Sequence, residues 1–147
     1  MHLAQSYLCW VQAGLIVFNS STPTQARELP TILAVDDSFV IQTMLKRALA
    51  EHYQVVVASN AKDALVLLNH HKVSLLLLDV SMPEIDGLEL CRTIRSLPHF
   101  RNLPIVMLTG QDGLVNKLKG QIAGSTEYLT KPFDPENLRR VVGKYVI

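Results

Sequence analysis

Three aspartates, a threonine and a lysine occupy matching places in this chain. Asp36 and Asp37 follow the apolar run TILAV, and Asp79 follows VSLLLL. Thr109 follows PIVML, and Lys131 follows EYLT. Taken singly, each residue is ordinary: Asp caps helices and opens turns, and Thr suits strands. If the five meet, they carry chemistry. Three clustered carboxylates repel one another, and a single lysine cannot balance them. A hard divalent cation with oxygen ligands, such as Mg2+, supplies the missing charge and keeps positions open for phosphoryl oxygens. A carboxylate beside a phosphoryl group can act as nucleophile and form an aspartyl phosphate. The cation and the lysine would share the charge on the transferred oxygens.

What would bring these residues together is a repeated strand-then-helix pattern. Short apolar runs at 31–35, 54–58, 73–78, 104–108 and 127–130 read as strands. Between and after them, apolar residues recur at helical spacing from Ser38 to about Glu51, over 60–71, 87–97, 113–123 and 134–146. Ser38 is placed to cap the first helix, and Pro135 sits early in the last. The strands are continuously apolar rather than alternating, which suits a parallel sheet covered on both faces. Five alternations predict an open, doubly wound α/β domain with right-handed crossovers. In such a sheet, sites form at the carboxyl ends of the strands, where the five residues fall.

The chain has 147 residues, is 48% hydrophobic and carries a formal net charge of +1. That balance predicts no strong attraction to nucleic acid or membrane surfaces. The apolar stretch Tyr7 to Phe18 is about half the ~20 residues that a spanning helix needs, and no basic residue precedes it. The expectation is a cytoplasmic protein without membrane insertion. Cys9 and Cys91 read as reduced, partly buried thiols. Residues 1–29 differ from the rest: YLCWV and LIVF flank Gln12-Ala13-Gly14 as a hairpin pattern, and NSSTPTQARE reads as a linker. A lone hairpin is barely stable, so this extension must pack on the domain, on a second copy in a homodimer, or on an upstream domain. His70-His71 reads as a solvated helix end, Met82-Pro83 as loop packing, and Arg139-Arg140 with Lys144 as a solvated face or a partner surface.

The segments ILAVDDS, LLLLDVSMPEIDGLEL, IVMLTG and EYLTKPF, in that order, resemble the signature of the response-regulator receiver domain of two-component signalling. The resemblance covers residues 30–147. It implies a flavodoxin-like, five-stranded parallel sheet of order 2-1-3-4-5 flanked by five helices. It also implies roles: Asp79 as phospho-accepting aspartate, Asp36 and Asp37 as the pair that positions Mg2+, and Ser81 as a metal ligand through its backbone carbonyl. Thr109 and Lys131 then meet the phosphoryl group, and Tyr128 is the aromatic whose rotamer reports phosphorylation. Lys131-Pro132 matches a cis peptide of the family. The implied partners are a sensor histidine kinase or phosphotransfer protein and a downstream protein target, docked on the face of the 113–123 helix, the fifth strand and the last helix. Direct nucleic-acid binding is not implied. Departures are slight: Gly110 stands where alanine is frequent, Ser81 and Gln111 fall at variable positions beside the site, and AGSTEYL replaces a more acidic loop.

Such a chain would catalyse only its own phosphorylation and dephosphorylation. One alternative is a receiver segment that regulates an upstream domain of a larger protein. Another is a Mg2+-dependent phosphohydrolase with an aspartate nucleophile, but that class places a second acid two residues after the nucleophile, where this chain has Ser81.

Overall fold

Every strand of this protein has to bury side chains on both faces, and the helices divide accordingly. The computed structural model describes residues 28–82, 86–110, 119 and 123–146. Five parallel strands run β1 (Thr31–Val35), β2 (Gln54–Ala58), β3 (Val73–Asp79), β4 (Ile105–Thr109) and β5 (Glu127–Thr130). Their order across the sheet is β2-β1-β3-β4-β5, as the resemblance implied. Four α-helices are described, α1 (Phe39–Leu49), α2 (Ala61–His70), α3 (Gly87–Ser96) and α4 (Pro135–Tyr145), with a short 3-10 turn at Pro98–Phe100. The fifth expected helix, at 113–123, falls largely outside the described residues, as do the hairpin and Cys9 in the amino-terminal extension.

Because side chains alternate along a strand, each apolar run feeds two cores. Ile32, Ala34, Leu75, Leu77, Val106 and Leu108 point to the side of α1 and α4, where Leu45, Leu49, Leu138 and Val142 meet them. Leu33, Val35, Leu76, Leu78, Ile105 and Met107 point to the side of α2 and α3, against Ala64, Leu68, Leu88 and Ile94. Both strand faces bury apolar side chains, and this two-sided burial is why the strands show no polar alternation.

The helix starts are set by side-chain caps that satisfy otherwise unpaired N–H groups. Ser38 accepts from the Ile41 N–H, Asn60 from Asp63 and Asp134 from Glu136. On α1, the buried face differs from the apolar pattern. Phe39 and Val40 are 79% and 65% exposed, and Met44 is exposed too, whereas Gln42 is buried with Leu45 and Leu49. Arg95 at the end of α3 joins several segments. Its guanidinium donates to the carbonyls of Gly124 at 2.7 Å and Phe100 at 2.8 Å. This ties α3 to the turn before β4 and to the loop before β5. Among the described residues no helix is long and apolar enough to cross a membrane.

Candidate functional site

Strand register builds the site. Val35 lies opposite Leu78 across β1 and β3, so the next residues, Asp36 and Asp79, emerge side by side. Asp79 in turn lies opposite Leu108, one residue before Thr109, and Thr109 pairs with Thr130, one residue before Lys131. The polar residues at the ends of four strands therefore converge on one edge of the sheet. Asp79 is the last residue of β3 itself, rather than the first after it.

Two carboxylates are aimed by the same local device. Asp36 Oδ1 accepts the N–H of Ser38 at 2.9 Å, and Asp79 Oδ1 accepts the N–H of Ser81 at 3.1 Å. In each case an aspartate folds back onto a backbone N–H two residues on, which holds its head group at the strand end. Lys131 spans them, with Nζ 2.7 Å from Asp36 Oδ2 and 3.2 Å from Asp79 Oδ1. The Lys131-Pro132 peptide is cis.

The chain gains further support from residues that carried no signal of their own. Gln42 donates its amide to the main-chain carbonyl of Asp36 at 2.6 Å and to Ser59 Oγ at 3.0 Å. The only clue in the sequence is spacing, because 42, 45 and 49 share one helical face. Gly87 donates its N–H to Val80 O at 3.1 Å. A side chain there would run into the Asp79 carbonyl and come within 2.9 Å of Val80 Cα. Only a residue without Cβ lets α3 begin this close to the end of β3.

Asp36 and Thr109 are fully buried and Asp79 nearly so, while Asp37 is exposed. Burial pushes the Asp79 carboxyl above its ordinary range. The Ser81 N–H opposes this, the charge of Asp36 adds to it, and Lys131 opposes it again. For Lys131, burial works against the charged form, but the hydrogen bond to Asp36 and the charges of Asp79 and Asp36 outweigh it and hold the ammonium above its usual value. The Thr109 hydroxyl donates weakly to Leu129 O at 3.5 Å. Tyr128 is half-buried against the α2–α3 core. Neither His70 nor His71 joins the site; His70 Nδ1 pairs with Val66 O within its own helix. Arg139 and Lys144 are engaged by Ala48 O and Glu127 respectively.

Carboxylate oxygens of Asp36, Asp37 and Asp79 all lie within 4.8 Å of one another. Set against one lysine, three acids leave negative charge uncompensated. An all-oxygen set of this kind fits a hard divalent cation such as Mg2+.

The profile of the response regulator receiver domain matches residues 32–143. Protein PilG of Pseudomonas aeruginosa is 34% identical over 119 residues, which cover 78% of this chain and 86% of PilG. Response regulator MprA of Mycobacterium leprae is 41% identical over 108 residues, covering 73% of this chain and 46% of MprA, so the chain spans less than half of that relative. The structure of the chemotaxis response regulator CheY4 of Vibrio cholerae superposes with a TM-score of 0.75 at 31% identity, over 80% of this chain and 98% of CheY4.

Proposed function

The chain belongs to the response regulator receiver domain family, and on that premise we propose that it accepts a phosphoryl group on Asp79 from the phosphohistidine of a sensor kinase or phosphotransfer protein and so switches a protein partner. The observation that carries this reading is the bridge from Lys131 to both Asp36 and Asp79 inside a cluster of three carboxylates.

Asp79 is the nucleophile. Its Oδ1 is held by Ser81 and Lys131, so Oδ2 is the oxygen assigned to attack phosphorus. The bond between phosphorus and the histidine nitrogen breaks, and its electron pair returns to the imidazole. Asp36, Asp37 and Asp79, with the Ser81 carbonyl, would hold Mg2+, which when bound supplies positive charge to the phosphoryl oxygens. Lys131 pairs with another of those oxygens from the place it already occupies. The new group adds roughly −1.5 to −2 charge and three acceptors. Thr109 can exchange its weak bond to Leu129 O for a phosphoryl oxygen, and its movement opens room for the Tyr128 ring. A local charge thereby biases the packing of β5 and α4. Beside them lies a groove of about 720 Å3 lined by Tyr128, Phe133, Asn137 and Arg140, which offers room for a partner.

Incubation with acetyl phosphate and Mg2+ tests the reading. The expected product carries one stoichiometric phosphoryl group per chain in samples quenched early, lost in Asp79→Asn. No label in the quenched unsubstituted chain, or label retained in the variant, would overturn it.

A further inference from the structure

Gln42 is an amide in a place where the fold could have used a hydrocarbon. It shares the inner face of α1 with Leu45 and Leu49 and is only 8% exposed. A buried amide persists where its hydrogens are donated. Here Nε2 reaches two acceptors, the Asp36 carbonyl at 2.6 Å and Ser59 Oγ at 3.0 Å.

The bond to Asp36 completes a set. The Asp36 N–H donates to Ala58 O at 3.1 Å. Its Oδ1 accepts from Ser38 and its Oδ2 from Lys131. Gln42 takes the main-chain carbonyl. Ala58 ends β2 and Ser59 follows it, so the turn between β1 and α1 is tied twice to the turn between β2 and α2, once through backbone and once through the Gln42 amide.

That second tie has a load to bear. Asp36 and Asp37 ride on the β1–α1 turn and face Asp79 within 4.8 Å. Like charges at this distance push the turn away from β3. A ligand cluster stays ready for a cation only if neighbouring groups hold it against that repulsion, and loss of such support commonly weakens metal binding.

We propose that Gln42 is a positioning residue for the acidic cluster: by gripping the Asp36 carbonyl and the Ser59 hydroxyl, its amide holds the β1–α1 turn where Asp36 and Asp37 can share a divalent cation with Asp79. This rests on the reading of the cluster as a Mg2+ site.

Calorimetric titration with Mg2+ of the unsubstituted chain, Gln42→Met and Ser59→Ala tests it, with circular dichroism confirming the folded state of each. Methionine keeps the length of glutamine and removes the donor. The Kd for Mg2+ is expected to rise about tenfold or more in Gln42→Met and less, in the same direction, in Ser59→Ala. The rate of phosphorylation by acetyl phosphate at saturating Mg2+ should stay within about twofold of the unsubstituted chain, because the defect lies in holding the cation and not in the nucleophile. An unchanged Kd in folded Gln42→Met overturns the proposal, and so does a saturating rate that falls as far as the affinity, which would mark general loosening. Should Gln42→Met not fold, the Ser59→Ala affinity decides, and no change there overturns the proposal. Mg2+ binding by the unsubstituted chain with normal affinity in the variants removes the role of Gln42 alone, whereas no Mg2+ binding by the unsubstituted chain removes the cation-site reading as well.

Discussion

The surroundings of Asp79 disfavour its charged form. Burial and the charge of Asp36 raise its pKa more than the Ser81 N–H and Lys131 lower it. A carboxyl held above its unfolded value contributes stability that is complete below the ordinary carboxylate range and is lost as pH rises through the raised value. Asp79→Asn is neutral throughout. In chelator, the variant and the unsubstituted chain should therefore melt together at acid pH, and the variant should melt higher as pH climbs toward neutrality. Thermal melts across that range check this, and a gap that narrows with rising pH would contradict it. Mg2+ should close the gap by stabilising only the chain that retains the carboxylate. At this scale the sequence was informative because the chemistry resides in residue types: Asp36, Asp37, Asp79 and Lys131 declared themselves by charge at strand ends. Gln42 and Ser59 did not, since nothing in an uncharged polar side chain tells which carbonyl it will hold.

At the scale of elements, α3 is fixed at both ends, and each end makes a prediction. At its start, Gly87 lies against the last residues of β3. Gly87→Ala should cost about 1–3 kcal/mol through overpacking, read by urea unfolding, and should also slow phosphoryl uptake because the clash falls on the Asp79 backbone. At its end, Arg95→Met leaves the Gly124 carbonyl without the guanidinium donor and the Phe100 carbonyl with only the longer bond from the Leu103 N–H at 3.3 Å. A loss of about 1–3 kcal/mol is expected, with phosphoryl uptake retained because the guanidinium touches none of the acidic residues. Gly124 itself has φ +97°, and a Cβ there would meet the Arg95 side chain at 2.9 Å. Elements were legible where period and caps agreed: β1, β2 and β5 span the expected residues, and Ser38 caps α1. The exposed face of α1 was not legible, because Phe39, Val40 and Met44 make both sides of that helix apolar and periodicity alone cannot choose between them.

At the scale of the whole molecule, among the described residues the buried side chains of the two core layers run from Ile32 to Val142, with Tyr145 and Val146 packed against them. A chain lacking residues 1–27 is therefore expected to fold and to take up phosphoryl on Asp79 as the longer chain does. Circular dichroism and phosphoryl labelling check this, and solution mass measured with and without the segment tests whether it mediates dimerisation. By itself the amino-acid sequence determined five strands buried on both faces, the alternation with helices, and an acid or base at most strand ends, because burial and side-chain chemistry are written residue by residue. Only tertiary structure decided that these ends meet. Lys131 and Asp36 are 95 positions apart yet 2.7 Å from contact atom to contact atom. Their meeting depends on strand order, and on a register in which Val35 faces Leu78 and Thr109 faces Thr130. A slip of one residue in either pairing would turn every side chain to the opposite face, and no local pattern encodes that choice.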